Sequence, residues 1–125
     1  MMAAYTKEAK LSFRDRYTYE KRLLESDRII SQYPDRTPVI IEVNPRHKSK
    51  IELSRDKYLV PKDFTVGALL SVIYKRNNMR PETALFLFTT QNQLIPTDLL
   101  VIHLPKEKDG FRYIIICVED TFGSF

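Results

Sequence analysis

Cysteine, glycine and long apolar runs are scarce in this chain, and each scarcity removes a class of function. A single cysteine, Cys117, permits no internal disulfide and no thiolate zinc cluster. Three glycines in 125 residues leave no glycine-rich phosphate-binding loop. No apolar stretch approaches the length of a membrane-spanning helix, and the opening MMAAYTKEAK lacks the apolar centre of a secretion signal. These absences predict a soluble protein of a reducing, intracellular compartment, to which any membrane attachment would be added afterwards. Histidine is scarce too. His47 lies in the polar run NPRHKSK, where solvation is the expected state, and His103 sits among Leu and Ile, packed or partly exposed. Cys117 falls inside an Ile/Val run as a small hydrophobe. The carboxylates are scattered. No nucleophile–base pair, metal-ligand set or cofactor site emerges, so the chain is expected not to be an enzyme.

What is present suffices for one modest core. Hydrophobic residues make up 43% of the chain, which supports a single domain over 1–125. The net charge of +4 is unevenly spread: residues 1–83 carry 17 basic and 11 acidic groups, and residues 84–125 carry 3 and 5. Such a balance suits acidic peptides, anionic membranes or weak nucleic-acid binding.

Local patterns give the element order. Residues 13–33 read as helix broken near Thr18, with Tyr19, Leu23, Ser26, Ile30 and Tyr33 on one side. The helical extension therefore covers about 1–33, ending at Pro34. PVIIEV is a strand, NPRHKSK a polar connection, and IEL at Ile51–Leu53 a second short strand, which together suggest a hairpin. DKYLVPKDF reads as an extended approach broken by Pro61. Thr65 then caps a helix over VGALLSVIYKR. ALFLF is a strand, QLIPTDLLVIHL a turn with a short helix, and FRYIIICV the longest strand candidate. One mixed sheet covered by a helix is the economical α+β solution, with a β-grasp order if the first and last strands are central. Chain order alone also tolerates a ferredoxin-like arrangement.

Two binding functions compete on these residues. Arg14, Arg16, Lys21, Arg22 and Arg28 lie near Tyr17 and Tyr19, a mixture able to hold a nucleic-acid backbone. Acidic residues alternate with them, and a solvated helical face accounts for the pattern better. Against this, Tyr58, Leu59, Val60, Pro61 and Phe64 supply more apolar bulk than a linker needs, as a peptide-binding sheet edge would.

The strings YEKRLLESDRI, RTPVIIE, DKYLVPKDFTVG, MRPETALFLF, KEKDGFRY and EDTFG, in this order from Phe13 to Gly123, resemble the autophagy-related ubiquitin-like modifiers of the GABARAP group. The resemblance implies a ubiquitin-like β-grasp with a four-stranded mixed sheet and two additional N-terminal helices, followed by a flexible tail from about 119 to 125. It implies a precursor cleaved after Gly123 by a cysteine protease, with Phe122 as recognition handle, and a glycine joined by activating and conjugating enzymes to phosphatidylethanolamine. The protein would be cytoplasmic when free and autophagosomal when lipid-conjugated, recruiting cargo receptors through short aromatic/aliphatic motifs. The aromatic anchor's pocket would involve Glu25, Ile29, Pro38, Ile40, Lys57, Leu59 and Phe111. The aliphatic pocket would involve Tyr58, Val60, Pro61, Phe64, Leu69 and Val72. The strand edge near Ile40 would pair with the peptide backbone, and Lys57, Arg36 and Arg76 would meet acidic residues beside the motif. Phe86 and Phe88 would face the processing protease. No cofactor, metal or specific nucleic acid is implied. The chain is about two residues shorter than the family pattern between Phe88 and Lys106, which predicts a truncated or reshaped late helix, and its NPRHKSK loop is atypical. The alternatives are a non-covalent ubiquitin-like adaptor and, behind it, a basic nucleic-acid binder.

Overall fold

The computed structural model describes residues 11–119. Within them the chain forms α1 (Phe13–Arg16), α2 (Tyr19–Gln32), β1 (Arg36–Val43), β2 (Lys57–Pro61), α3 (Val66–Arg76), β3 (Ala84–Phe88) and β4 (Arg112–Glu119), with single 3-10 turns at Pro45–His47 and Val101–His103. Hydroxyl caps set the helix starts. Ser12, Thr18 and Thr65 accept from the main-chain N–H of Asp15, Lys21 and Ala68, so the break at Thr18 is a new N-cap. Asn78, at φ 51°, turns the chain out of α3.

The sheet runs β2-β1-β4-β3, with β1 and β4 parallel at the centre and both outer pairs antiparallel. This is the β-grasp order; the parallel pairing of the first and last strands at the centre of the sheet settles it against the ferredoxin-like alternative, in which those two strands pair antiparallel. The late segment is reduced to the 3-10 turn at Val101–His103.

Strand alternation sends the two sheet faces into different cores. Val39, Ile41, Leu85, Leu87, Ile114, Ile116 and Val118 pack with Val66, Leu69 and Ile73 of α3. On the opposite face, Ile40 and Tyr113 pack with Phe111, Ile29 of α2 and Phe13 of α1. Phe13 meets the Phe111 ring edge-on at 5.1 Å. Burying Ile29 to 2% exposure is worth about 2 kcal/mol toward docking α2.

Three expectations need correction. Ile51–Leu53 is not a strand. The partner of β1 is Lys57–Pro61, in register from Arg36↔Pro61 to Ile40↔Lys57, while Ile51 and Leu53 pack at the margin of the α3-side core. The inward seam of α2 is Ser26 and Ile29; Tyr19 and Tyr33 are exposed, because the helix is rotated to place Ser26 against the 109–110 turn. His47 is not solvated but buried at 5% exposure, its Nδ1 accepting the Val118 N–H at 2.9 Å. His103 is exposed and Cys117 half-buried.

The turn facing α2 is a polar lock. Asp109, 3% exposed, accepts from Arg22 Nε at 2.9 Å, from the Tyr113 hydroxyl, and from the Phe111 N–H at 3.0 Å. Ser26 Oγ donates to the Asp109 carbonyl. Burial and the Asp109 carboxylate push the Tyr113 phenol well above its ordinary range, so it remains a donor. Gly110 has φ +92°, and a Cβ there would fall on the Ser26 hydroxyl and 2.9 Å from Ser26 Cβ. Both the conformation and the space require glycine. Gly110→Ala is expected to cost about 2–4 kcal/mol, read as a lower urea midpoint at unchanged slope.

Candidate functional site

β2 is an edge strand of the sheet, bonded among the described residues only to β1. Asp56 O accepts from Ile41 N and Lys62 N donates to Asp35 O, so even-numbered positions face β1. By alternation the main-chain groups of Lys57 and Leu59 face outward, where an added strand would pair. The expected pairing edge near Ile40 is therefore corrected: Ile40 lies inside the sheet, between Lys57 and Tyr113.

Along this edge runs a groove of 650 Å³ between α2 and α3. It gathers most of the residues expected at the two anchor pockets. Glu25, Ile29, Lys57 and Leu59 lie toward α2, Tyr58, Val60, Phe64, Leu69 and Val72 lie toward α3, and Pro61, the last residue of β2, also lines the groove. The division follows from β2 itself, whose odd side chains face the α2 side and even ones the α3 side. Pro38, Ile40 and Phe111 are not among the lining residues. All three are fully buried, and they form the layer behind the wall. Phe86 and Phe88 lie elsewhere, half-buried on β3 at the opposite edge, on the face away from buried Leu85 and Leu87.

The rim is basic. Arg36 and Arg76 line the groove as expected, joined by Arg28, Tyr33 and Arg55, which the sequence reading missed. Arg28 was read as part of a solvated helical face, and Arg55 received no role. Their signal was available in the helical spacing of Arg28 from Glu25 and the strand spacing of Arg55 from Lys57. Among the described residues Glu25 is the only acidic one lining the groove, held between Arg28 at 3.1 Å and Lys57. Hydrogen bonds from Arg28 and then Lys57 lower its carboxyl to about 2. Because the folded value is depressed, the contact is complete above the ordinary carboxylate range and is lost only as pH falls through about 2. Arg36, Arg55 and Arg76 make no ion pair among the described residues; Arg36 Nη1 donates to the Leu59 carbonyl at 3.3 Å. Five cations and one carboxylate around apolar pockets are suited to an extended acidic peptide with apolar anchors.

The alternative basic cluster is differently disposed. Arg16 pairs with Asp56, Arg22 with Asp109, and Arg14 lies 4.1 Å over the Tyr113 ring. These guanidinium groups fasten α1 and α2 to the body. Among the described residues no three His, Cys, Asp or Glu side chains are grouped to hold a metal, and no helix is long and apolar enough to cross a membrane. Gly123 and Phe122 lie outside the described residues.

Comparison with known proteins finds relatives over nearly the whole chain. Residues 21–123 match the family described as "Autophagy protein Atg8 ubiquitin like". The chain is 45% identical over 119 residues to autophagy-related protein 8 of Vanderwaltozyma polyspora, covering 92% of this chain and 98% of that protein. It is 42% identical over 118 residues to autophagy-related protein 8d of Arabidopsis thaliana, covering 91% and 96% respectively. The crystal structure of Trypanosoma brucei ATG8 superposes with a TM-score of 0.79 at 35% identity, covering 91% of this chain and 99% of that one.

Proposed function

The chain belongs to the Atg8 family of ubiquitin-like autophagy proteins, and from that premise we propose that it is a lipid-conjugated modifier and peptide-binding adaptor. In this reading the chain is a substrate of enzymes and not itself an enzyme. A cysteine protease hydrolyses the Gly123–Ser124 bond, consuming one water and releasing Ser124–Phe125. Activating and conjugating enzymes then join the freed Gly123 carboxyl to the amine of phosphatidylethanolamine, forming an amide with net loss of water. Unconjugated chain is cytoplasmic; conjugated chain stays on the autophagosomal membrane, where the groove recruits cargo receptors.

The observation that carries the adaptor half is the open β2 edge, flanked by apolar pockets on both sides and by unpaired arginines. An incoming strand would find main-chain partners at Lys57 and Leu59, and anchors an odd number of strand positions apart would point to opposite faces and enter opposite pockets. Acidic residues beside the anchors would meet Arg36, Arg55 and Arg76.

Leu59→Ala removes apolar surface from the α2-side pocket. It is expected to weaken binding of an acidic aromatic/aliphatic peptide by roughly 5- to 30-fold, about 1–2 kcal/mol, in calorimetric titration. Equal affinity of wild type and variant, with both folded by circular dichroism, would remove the groove from the account.

A further inference from the structure

The atypical NPRH turn carries a device at the root of the tail. Main-chain pairing of β1 with β4 ends at Val43↔Ile116, with Asn44 N donating to Ile116 O at 2.7 Å. There β1 leaves the sheet, while β4 continues to Glu119. Ile116 and Val118 share a parity, so the Val118 N–H points to the side that β1 has vacated. It does not go unpaired: His47 Nδ1 accepts it at 2.9 Å in a buried setting.

The local chemistry explains how an imidazole reaches this place. Asn44 Oδ1 accepts from Arg46 N at 2.9 Å, Pro45 occupies the first position of the 3-10 turn, and His47 N donates to Asn44 O at 2.8 Å. The turn folds His47 back onto β4 as a side-chain substitute for the next ladder carbonyl. An amide N–H can only donate, so Nδ1 carries no proton. Asn44 adds a second tie, Nδ2 to Cys117 Sγ at 3.5 Å.

We propose that His47 is a positioning residue for the C-terminal tail: by holding Val118 it anchors β4 up to Glu119, four residues before Gly123. The inference rests on the trimming function proposed above. Four extended residues reach at most about 14 Å, so the departure point decides how Gly123 is presented to an active site engaged with the body of the protein. Releasing Val118 adds slack and disperses that presentation, an effect on productive binding more than on bond cleavage.

The test compares wild type, His47→Leu and His47→Asn, whose side-chain oxygen can replace Nδ1 as acceptor. Amide hydrogen exchange at Val118 is expected to accelerate at least about tenfold in H47L and to return toward wild type in H47N. In trimming by a purified processing protease that cleaves the Vanderwaltozyma polyspora precursor, H47L is expected to raise KM about threefold or more at constant kcat, with H47N restoring it. Unchanged Val118 exchange or a wild-type KM in H47L would overturn the inference, as would H47N as impaired as H47L. Wild type left untrimmed, while the control precursor is cleaved, would overturn the proposed function and this inference with it.

Discussion

Gly123→Ala is expected to abolish trimming and lipid attachment together while leaving the fold and peptide binding intact. The substitution lies beyond β4, whose last residue is Glu119, and far along the chain from every groove residue. Its effect would therefore be confined to chemistry at the glycine carbonyl. A residue without Cβ can enter a narrow channel and present an unhindered carbonyl; a methyl group there displaces the reacting atoms. Misplacement of about 1 Å costs about 100-fold in rate, and the protease, the activating enzyme and the conjugating enzyme must each accept the same residue. Purified conjugation enzymes with phosphatidylethanolamine vesicles would show this as loss of the membrane-bound product. A G123A chain that is conjugated at the wild-type rate, or one that also loses peptide binding, contradicts the assignment.

Asp109→Ala is expected to be the most destabilising single change, at about 3–5 kcal/mol. The carboxylate is 3% exposed and serves three donors from three directions: Arg22, Tyr113 and the Phe111 N–H. Removing it takes the carboxylate from a guanidinium only 13% exposed, leaving it the Arg14 and Tyr17 carbonyls, and takes the acceptor from a buried phenol. A domain of this size has about 5–15 kcal/mol of stability in all, so such a loss is a large share. Urea denaturation measures it directly. The functional consequence follows from position. Arg22 and Ser26 tie α2 to the 109–110 turn, and α2 supplies Glu25 and Ile29 to the groove, so peptide affinity should fall with stability. A loss below about 1 kcal/mol would mean that the lock is a surface ion pair in energetic effect.

How much of this was legible in sequence depends on the range of the interaction that decides each feature. Thr18, Thr65, Ala84–Phe88 and β4 were readable because caps and β-branched runs act within a few residues. The second strand was misplaced because Lys57–Pro61 buries side chains on both faces, Leu59 toward α2 and Tyr58 and Val60 toward α3. A strand covered on both sides shows no clean alternation, and IEL competed with it. Ser26 rather than a larger apolar residue marks the α2 seam because Gly110, distant in sequence, leaves room only for a hydroxyl. His47 was read as solvated since its partner is 71 residues away. In the groove, the family resemblance supplied the two pockets and Arg36, Lys57 and Arg76 of the basic rim, while Arg28 and Arg55 were missed. The resemblance did not reveal that Pro38, Ile40 and Phe111 stand behind the wall, which depends on how deeply α2 seats on the sheet.

The central claim is that Gly123 is the residue the cell exposes and uses. Intact-mass measurement of the precursor after incubation with extract containing the processing protease tests it most directly. The account predicts a product lighter by Ser124 and Phe125 alone, ending at Gly123. A chain that keeps its full mass, or is cut at another residue while a known family precursor in the same extract is trimmed at its glycine, contradicts it.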